Sequence, residues 1–140
     1  MNKIYNRLYS LYNGIRLKVH NSFKIPLADK EKYLSLHDHA QSINYPKVDE
    51  FENKYKFKIN KIWFEKLALH TQVVIKKSEI NYQHGRLLYA IMMDYINRRK
   101  KNLEFCQIFE TGTARGFSSI CLSKALIDSN VNGNIATIDV

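Results

Sequence analysis

The stretch FETGTARGFSS, residues 109–119, joins two different kinds of sequence. Before and into it runs EFCQIFE (104–110), apolar and of strand length. Beyond it, RGFSSICLSKALIDS (115–129) has helical spacing, NVNG (130–133) reads as a turn and NIATIDV (134–140) as a second strand. Upstream, YQHGRLLYAIMMDYINRRKKN (82–102) reads as a helix closed by a basic turn, where Arg98, Arg99 and Lys100 complement the C-terminal dipole. Its apolar residues from Leu87 to Ile96 cover half the wheel or more, which predicts cover on two sides. Helix, strand, glycine turn, helix, strand is the beginning of an α/β sheet with parallel strands.

A tight turn from strand to helix needs residues of little bulk, so that backbone can approach a ligand. The helix starting near Gly116 directs unpaired N–H groups toward whatever lies above the strand ends, the place where open parallel sheets bind ligands. Asp139 stands 23 residues beyond Gly116, at the end of the second strand. A carboxylate there can accept two hydrogen bonds from a ribose diol, so the turn and Asp139 read as two halves of one nucleoside site. The dinucleotide fingerprint G-x-G-x-x-G fails, because Gly112 is followed at its glycine places by Ala114 and Phe117. A phosphate-binding loop of the Gly-Lys-Ser/Thr kind fails as well, since Phe117 follows Gly116.

The pattern that fits is E-x-G-x-x-x-G, with the acid before the turn. It resembles the first motif of class I S-adenosylmethionine-dependent methyltransferases. YQHGRLLYAI, ETGTARGFSSICLSKAL and GNIATIDV together resemble the bacterial methyltransferases grouped with the macrocin and cephamycin-cluster enzymes, over about residues 80–140. The resemblance implies a Rossmann-like fold, S-adenosyl-L-methionine as cofactor, and a small molecule or glycan as methyl acceptor. It implies that Glu110 positions the methionine end of the cofactor. Backbone around Thr111, Gly112, Thr113 and Gly116 would lie against the cofactor, and Asp139 would hold the ribose hydroxyls. Ala114 stands where many relatives have a second glycine. Gln83, His84 and Gly85 are candidates to touch the cofactor's carboxylate, with a capping role for His84 as the alternative. No catalytic base can be named and no metal site is expected.

Relatives of this kind have seven strands, and two are read here. The expectation is therefore a truncated Rossmann-like domain over residues 81–140, inactive by itself, preceded by a basic, mainly helical extension over residues 1–80. The competing expectation is a non-catalytic basic module that binds an anionic membrane surface or nucleic acid through residues 1–80.

Charge bears on that alternative. The chain of 140 residues carries a formal +9, and residues 1–100 hold 19 Lys and Arg against 9 Asp and Glu. Residues 101–140 hold 3 against 4, so the glycine motif lies in a nearly neutral part. Residues 4–19 predict an amphipathic helix whose apolar stripe is bordered by Lys3, Arg7, Arg16 and Lys18. Such a helix suits an anionic membrane surface, here through residues 1–20, although most apolar stripes simply face a core. In KVDEFENKYKFK (47–58) basic residues interleave with aromatics, but Asp49, Glu50 and Glu52 interrupt them. A solvated face is expected there, and nucleic acid is disfavoured.

The remaining features are structural. LADKEKYLSLHDHAQ (27–41) predicts a short helix with Asp29 near its start; His37 and His39, two apart, fall on different faces and make a poor metal pair. Asn60 is placed to cap a helix through KIWFEKLALH (61–70), with Ile62, Trp63, Leu67 and Leu69 available for burial. TQVVIKK (71–77) is ambiguous between helix end and strand. Cys106 and Cys121 sit in apolar runs outside any CxxC spacing, which predicts reduced core residues. The N-terminus MNKIYNRLYS lacks the apolar region of a signal peptide, and the longest wholly apolar run, LLYAIMM, is far short of the ~20 residues of a membrane span. The expected location is cytoplasmic, peripheral to the inner membrane face if residues 1–20 bind it.

Overall fold

The computed structural model describes residues 27–139, so the helix expected over residues 4–19 lies outside the described residues. The described residues from Glu31 onward fall in one compact unit. The described residues hold five helices and two strands: α1 (Lys30–Ser42), α2 (Pro46–Tyr55), α3 (Lys61–Thr71), α4 (His84–Arg99), β1 (Cys106–Thr111), α5 (Phe117–Asp128) and β2 (Gly133–Ile138). This is a mixed helix and strand fold, compatible with the α/β class. No helix among the described residues is long and apolar enough to cross a membrane.

β1 and β2 pair in parallel, as the crossover through α5 requires, in a register from Cys106 opposite Gly133 to Thr111 opposite Ile138. Alternation along the strands turns Cys106, Ile108 and Glu110 toward the helices and Gln107, Phe109 and Thr111 outward. Phe109 is 63% exposed and Ile138, on the same face opposite Thr111, is exposed as well, so among the described residues the helices cover one face of the sheet. α5 packs on both β2 and α4, and α2 also packs on α4. Ile91, inside the α4 apolar arc, is 47% exposed, so the arc is not covered along its whole width among the described residues.

The core is centred on aromatic rings. Phe64 of α3, Tyr82 just before α4, and Phe117 at the start of α5 are each essentially fully buried. Their ring centroids lie 5.7 Å apart for Phe64–Tyr82 and Phe64–Phe117, and 6.5 Å apart for Tyr82–Phe117. Tilted and edge-on pairs at such spacings add to simple area burial. Gly85 permits this cluster. A Cβ at Gly85 would stand 2.7 Å from the Phe117 ring and 2.8 Å from the Phe64 ring.

Local signals explain three of the helix ends. Asn60 caps α3 as expected, its Oδ1 accepting the Trp63 N–H at 2.9 Å. Pro46 occupies the first turn of α2, and Lys56 ends that helix in the left-handed region. Residues 72–77 form neither a strand nor an extension of α3. Cys106 and Cys121 are both free and buried, and burial pushes the Cys121 thiol up to about 12.

Two expectations require correction. Ile62 is 83% exposed, and Phe64 with Ala68 supply the buried face of α3 instead. Residues 46–55 do not present a purely solvated charged face: Glu52 is 3% exposed. The cause is Arg86 on α4, whose Nε donates to Glu52 Oε1 at 3.0 Å and whose Nη2 donates to Glu52 Oε2 and Asp49. A fork-on-carboxylate pair of that kind lets an acid face the protein interior.

Candidate functional site

The glycine turn is shaped by three left-handed residues, Gly112 at φ +80°, Ala114 at +47° and Gly116 at +74°. Gly116 N–H donates to Thr113 O at 2.7 Å, closing the loop, and Gly116 then serves as the N-cap of α5. No side chain caps this helix and its first turn holds no acid. The first-turn amides and the positive end of the helix dipole are thus left to whatever occupies the turn. Gly112 meets no atom within 4 Å of an added Cβ, so conformation rather than crowding favours glycine there. Ala114 adopts the same hand with a side chain, at a cost glycine would avoid.

Gly112 N–H donates to Ile138 O at 2.8 Å. This bond extends the ladder one step beyond the paired strands and sets Asp139, the next residue, beside the turn. Asp139 is exposed and makes no hydrogen bond among the described residues. Glu110, on the helix-facing side of β1, accepts a hydrogen bond from Ser119 Oγ in the first turn of α5 through Oε2. Its other oxygen has no partner among the described residues. Thr111 is exposed, and Thr113 is half-buried with its Oγ1 sealed from solvent and unpaired, the one such side-chain atom among the described residues. Glu110, Thr111, Gly112, Thr113, Gly116 and Asp139 therefore gather at the carboxyl end of the two strands.

The three residues at the start of α4 separate. Gly85 is buried against the Phe64 and Phe117 rings and serves close packing. Gln83 turns toward Arg86, whose Nη1 donates to its Oε1 at 3.0 Å. His84 is exposed overall but lies edge-on to Phe117 at 5.1 Å, and partial desolvation of its ring lowers its pKa from the ordinary histidine value. A neutral imidazole at pH 7 is a hydrogen-bonding group, not a counter-charge for a carboxylate.

Sequence reading missed two polar clusters. One is Arg86 with Asp49, Glu52 and Gln83; hydrogen bonding to Glu52, opposed by burial and aided by Asp49, holds the guanidinium pKa above its ordinary value. The other centres on Glu65, whose Oε2 accepts from Tyr82 Oη at 2.6 Å and Gln41 Nε2 at 3.1 Å, with His37 Nε2 at 3.3 Å. Burial and the Glu65 bond both push the Tyr82 phenol well above its usual range. His37 is buried and His39 exposed, the opposite placement that their spacing required. Among the described residues no group of three or more His, Cys, Asp or Glu is arranged to hold a metal ion. No family model, curated protein or solved structure matches this chain.

Proposed function

We propose that residues 81–139 carry part of an S-adenosyl-L-methionine site in a Rossmann-like domain, and that the protein belongs with class I methyltransferases acting on a small molecule or glycan. The observation that carries the reading is the Gly112–Ile138 hydrogen bond, which brings the glycine turn and Asp139 to one end of a parallel strand pair. Three further features support it: open space above Gly112, the unpaired Thr113 Oγ1, and an uncapped α5 with no acid in its first turn.

In this reading Asp139 accepts hydrogen bonds from the ribose diol, and the turn backbone lies along the nucleoside. Glu110, anchored through one oxygen by Ser119, offers the other to the ammonium group at the methionine end. The cofactor supplies an electrophilic methyl group on a sulfonium. The residues named here bind and orient it, and none of them is assigned as the base that prepares the acceptor. Because Asp139 and the turn are open to water, a nucleoside held there keeps much of its surface exposed and affinity is weak.

Titration of the chain with S-adenosylmethionine, followed by amide NMR, tests the reading. Shifts are expected at Gly112, Gly116 and Asp139, and they should be lost in Asp139→Ala, which removes two charge-assisted hydrogen bonds worth about 1.5–3 kcal/mol each at most. Gly112→Val should abolish them too, since it forces a branched residue into a left-handed conformation. Equal shifts in the parent and both variants would refute the assignment, as would shifts confined to other residues.

A further inference from the structure

A cavity of about 330 Å³ opens between the end of α1, α2, the start of α3 and the start of α4, and it shares no residue with the glycine turn. Its size falls at the lower end of the ~300–1,000 Å³ typical of small-ligand sites. Its lining is mostly polar, with Ile43, Ile59 and Phe64 as the apolar part.

The floor is built from the two polar clusters. Arg86 Nη1 donates to Gln83 Oε1 at 3.0 Å, which fixes the amide orientation and leaves the Gln83 NH₂ group as a free donor. That NH₂ makes no hydrogen bond among the described residues, although Gln83 is only 8% exposed and lines the cavity. Glu65 behaves in the complementary way. Its Oε2 is taken by Tyr82 and Gln41, while Oε1 has no partner among the described residues. An accessible amide donor on a largely buried residue and a fixed carboxylate acceptor with free capacity suit hydroxyl groups, which both give and accept.

The mouth has the opposite charge. Lys58 and Lys61 line it, both exposed and neither paired among the described residues. Lys61 opens α3, whose first turn holds no acid, so the helix dipole adds to the positive field. On the floor Arg86 offsets only one of Asp49 and Glu52, and Glu65 adds a further negative charge. An anionic group is therefore drawn to the lysines and repelled from the floor, where neutral donors are favoured.

We propose that this cavity binds a small hydroxylated anion of the sugar-phosphate class. The phosphate sits between Lys58 and Lys61, and sugar hydroxyls donate to Glu65 Oε1 and accept from Gln83 Nε2. The assignment stands apart from the methyltransferase reading and survives its failure.

The test is amide and side-chain NMR of the full chain, titrated in turn with glucose 6-phosphate, ribose 5-phosphate, glucose and inorganic phosphate. Sugar phosphates should shift the Gln83 and Asn44 side-chain amides and the backbone near Lys61. K58A/K61A, which alters exposed side chains only, should weaken that binding about tenfold or more. Gln83→Leu should weaken it as well, and Asp139→Ala should leave it unchanged. If Gln83→Leu fails to fold, the lysine variant decides. Absence of shifts with both sugar phosphates overturns the proposal. Inorganic phosphate or glucose binding as tightly as the sugar phosphates also overturns it, as does unaltered binding by K58A/K61A.

Discussion

Truncating Glu52 should be among the most damaging single changes on the helical side of the molecule. Its carboxylate is 3% exposed and takes two hydrogen bonds from Arg86, whose own side chain is 20% exposed. Breaking a buried pair by removing one partner costs ~3–5 kcal/mol, because the other charge is stranded. Asp49 still holds Arg86 in a Glu52→Ala variant, yet Asp49 is 48% exposed and replaces only part of the loss. The expected cost is therefore near the low end, about 3 kcal/mol. Against a whole-domain stability of ~5–15 kcal/mol, that is a large share. The double variant Glu52→Leu/Arg86→Met removes both charges at similar volume and should fall within about 1 kcal/mol of the parent. Urea unfolding followed by circular dichroism gives each value, and the cycle with Glu52→Leu and Arg86→Met alone gives the coupling, expected at about 2 kcal/mol or more. A cost below about 1 kcal/mol for Glu52→Ala, or single-variant costs that simply add, would refute the reasoning.

Four other outcomes follow from local geometry. Gly133→Ala would drive a Cβ into the carbonyl oxygen of Cys106 across the strand pair, and Gly85→Ala would press on the Phe64 and Phe117 rings. The first should cost about 3 kcal/mol or more and the second ~1–3 kcal/mol by the same unfolding assay, and an unchanged midpoint for either would contradict the close approach described. Ala114→Gly relieves a left-handed alanine at φ +47° and should raise stability by up to about 1 kcal/mol, since the relief exceeds the added freedom of the unfolded chain; a lowered melting temperature would count against it. Asp128 is opposed by burial, yet hydrogen bonds from Lys124 and Tyr89 hold its pKa below the ordinary carboxylate value. A depressed carboxylate stabilises the fold above its unfolded pKa and loses that contribution as pH falls through the folded one, so Asp128→Asn should flatten the stability loss below about pH 4. Identical acid-unfolding slopes in parent and variant would show that the bonds contribute nothing.

What could be read in the chain beforehand was what neighbours in sequence decide. The strand before Gly112, the turn, the helix after Gly116 and the parallel second strand all follow from apolar runs punctuated by glycine, and the Asn60 cap follows from one side chain three residues from its donor. The opposite burial of His37 and His39 was likewise a matter of helical period. The misread positions depend on partners far along the chain. Glu52 looked solvated because its partner Arg86 lies 34 residues away. Ile62 looked like core because it is apolar, whereas α3 turns Phe64 inward to meet Tyr82 and Phe117. The turn and Asp139 were visible as motifs, but the hydrogen bond that sets them side by side required strand register, which spacing alone does not specify. The polar cavity left no signal at all, since its lining is drawn from four helices and the loops between them.

The ring cluster gives α3 a say in the behaviour of the glycine turn. Phe117, the residue after Gly116, completes a triangle of rings with Phe64 and Tyr82 and packs on Gly85, so α5 cannot tilt or slide without displacing a side chain of α3. Opening of the glycine turn is then not a local fraying event but part of a larger cooperative one, and the amides of α3 and of the first buried turns of α5 should exchange with solvent at a common rate. Shortening one ring at position 64 would uncouple them, letting the turn breathe while the distant helices stay closed.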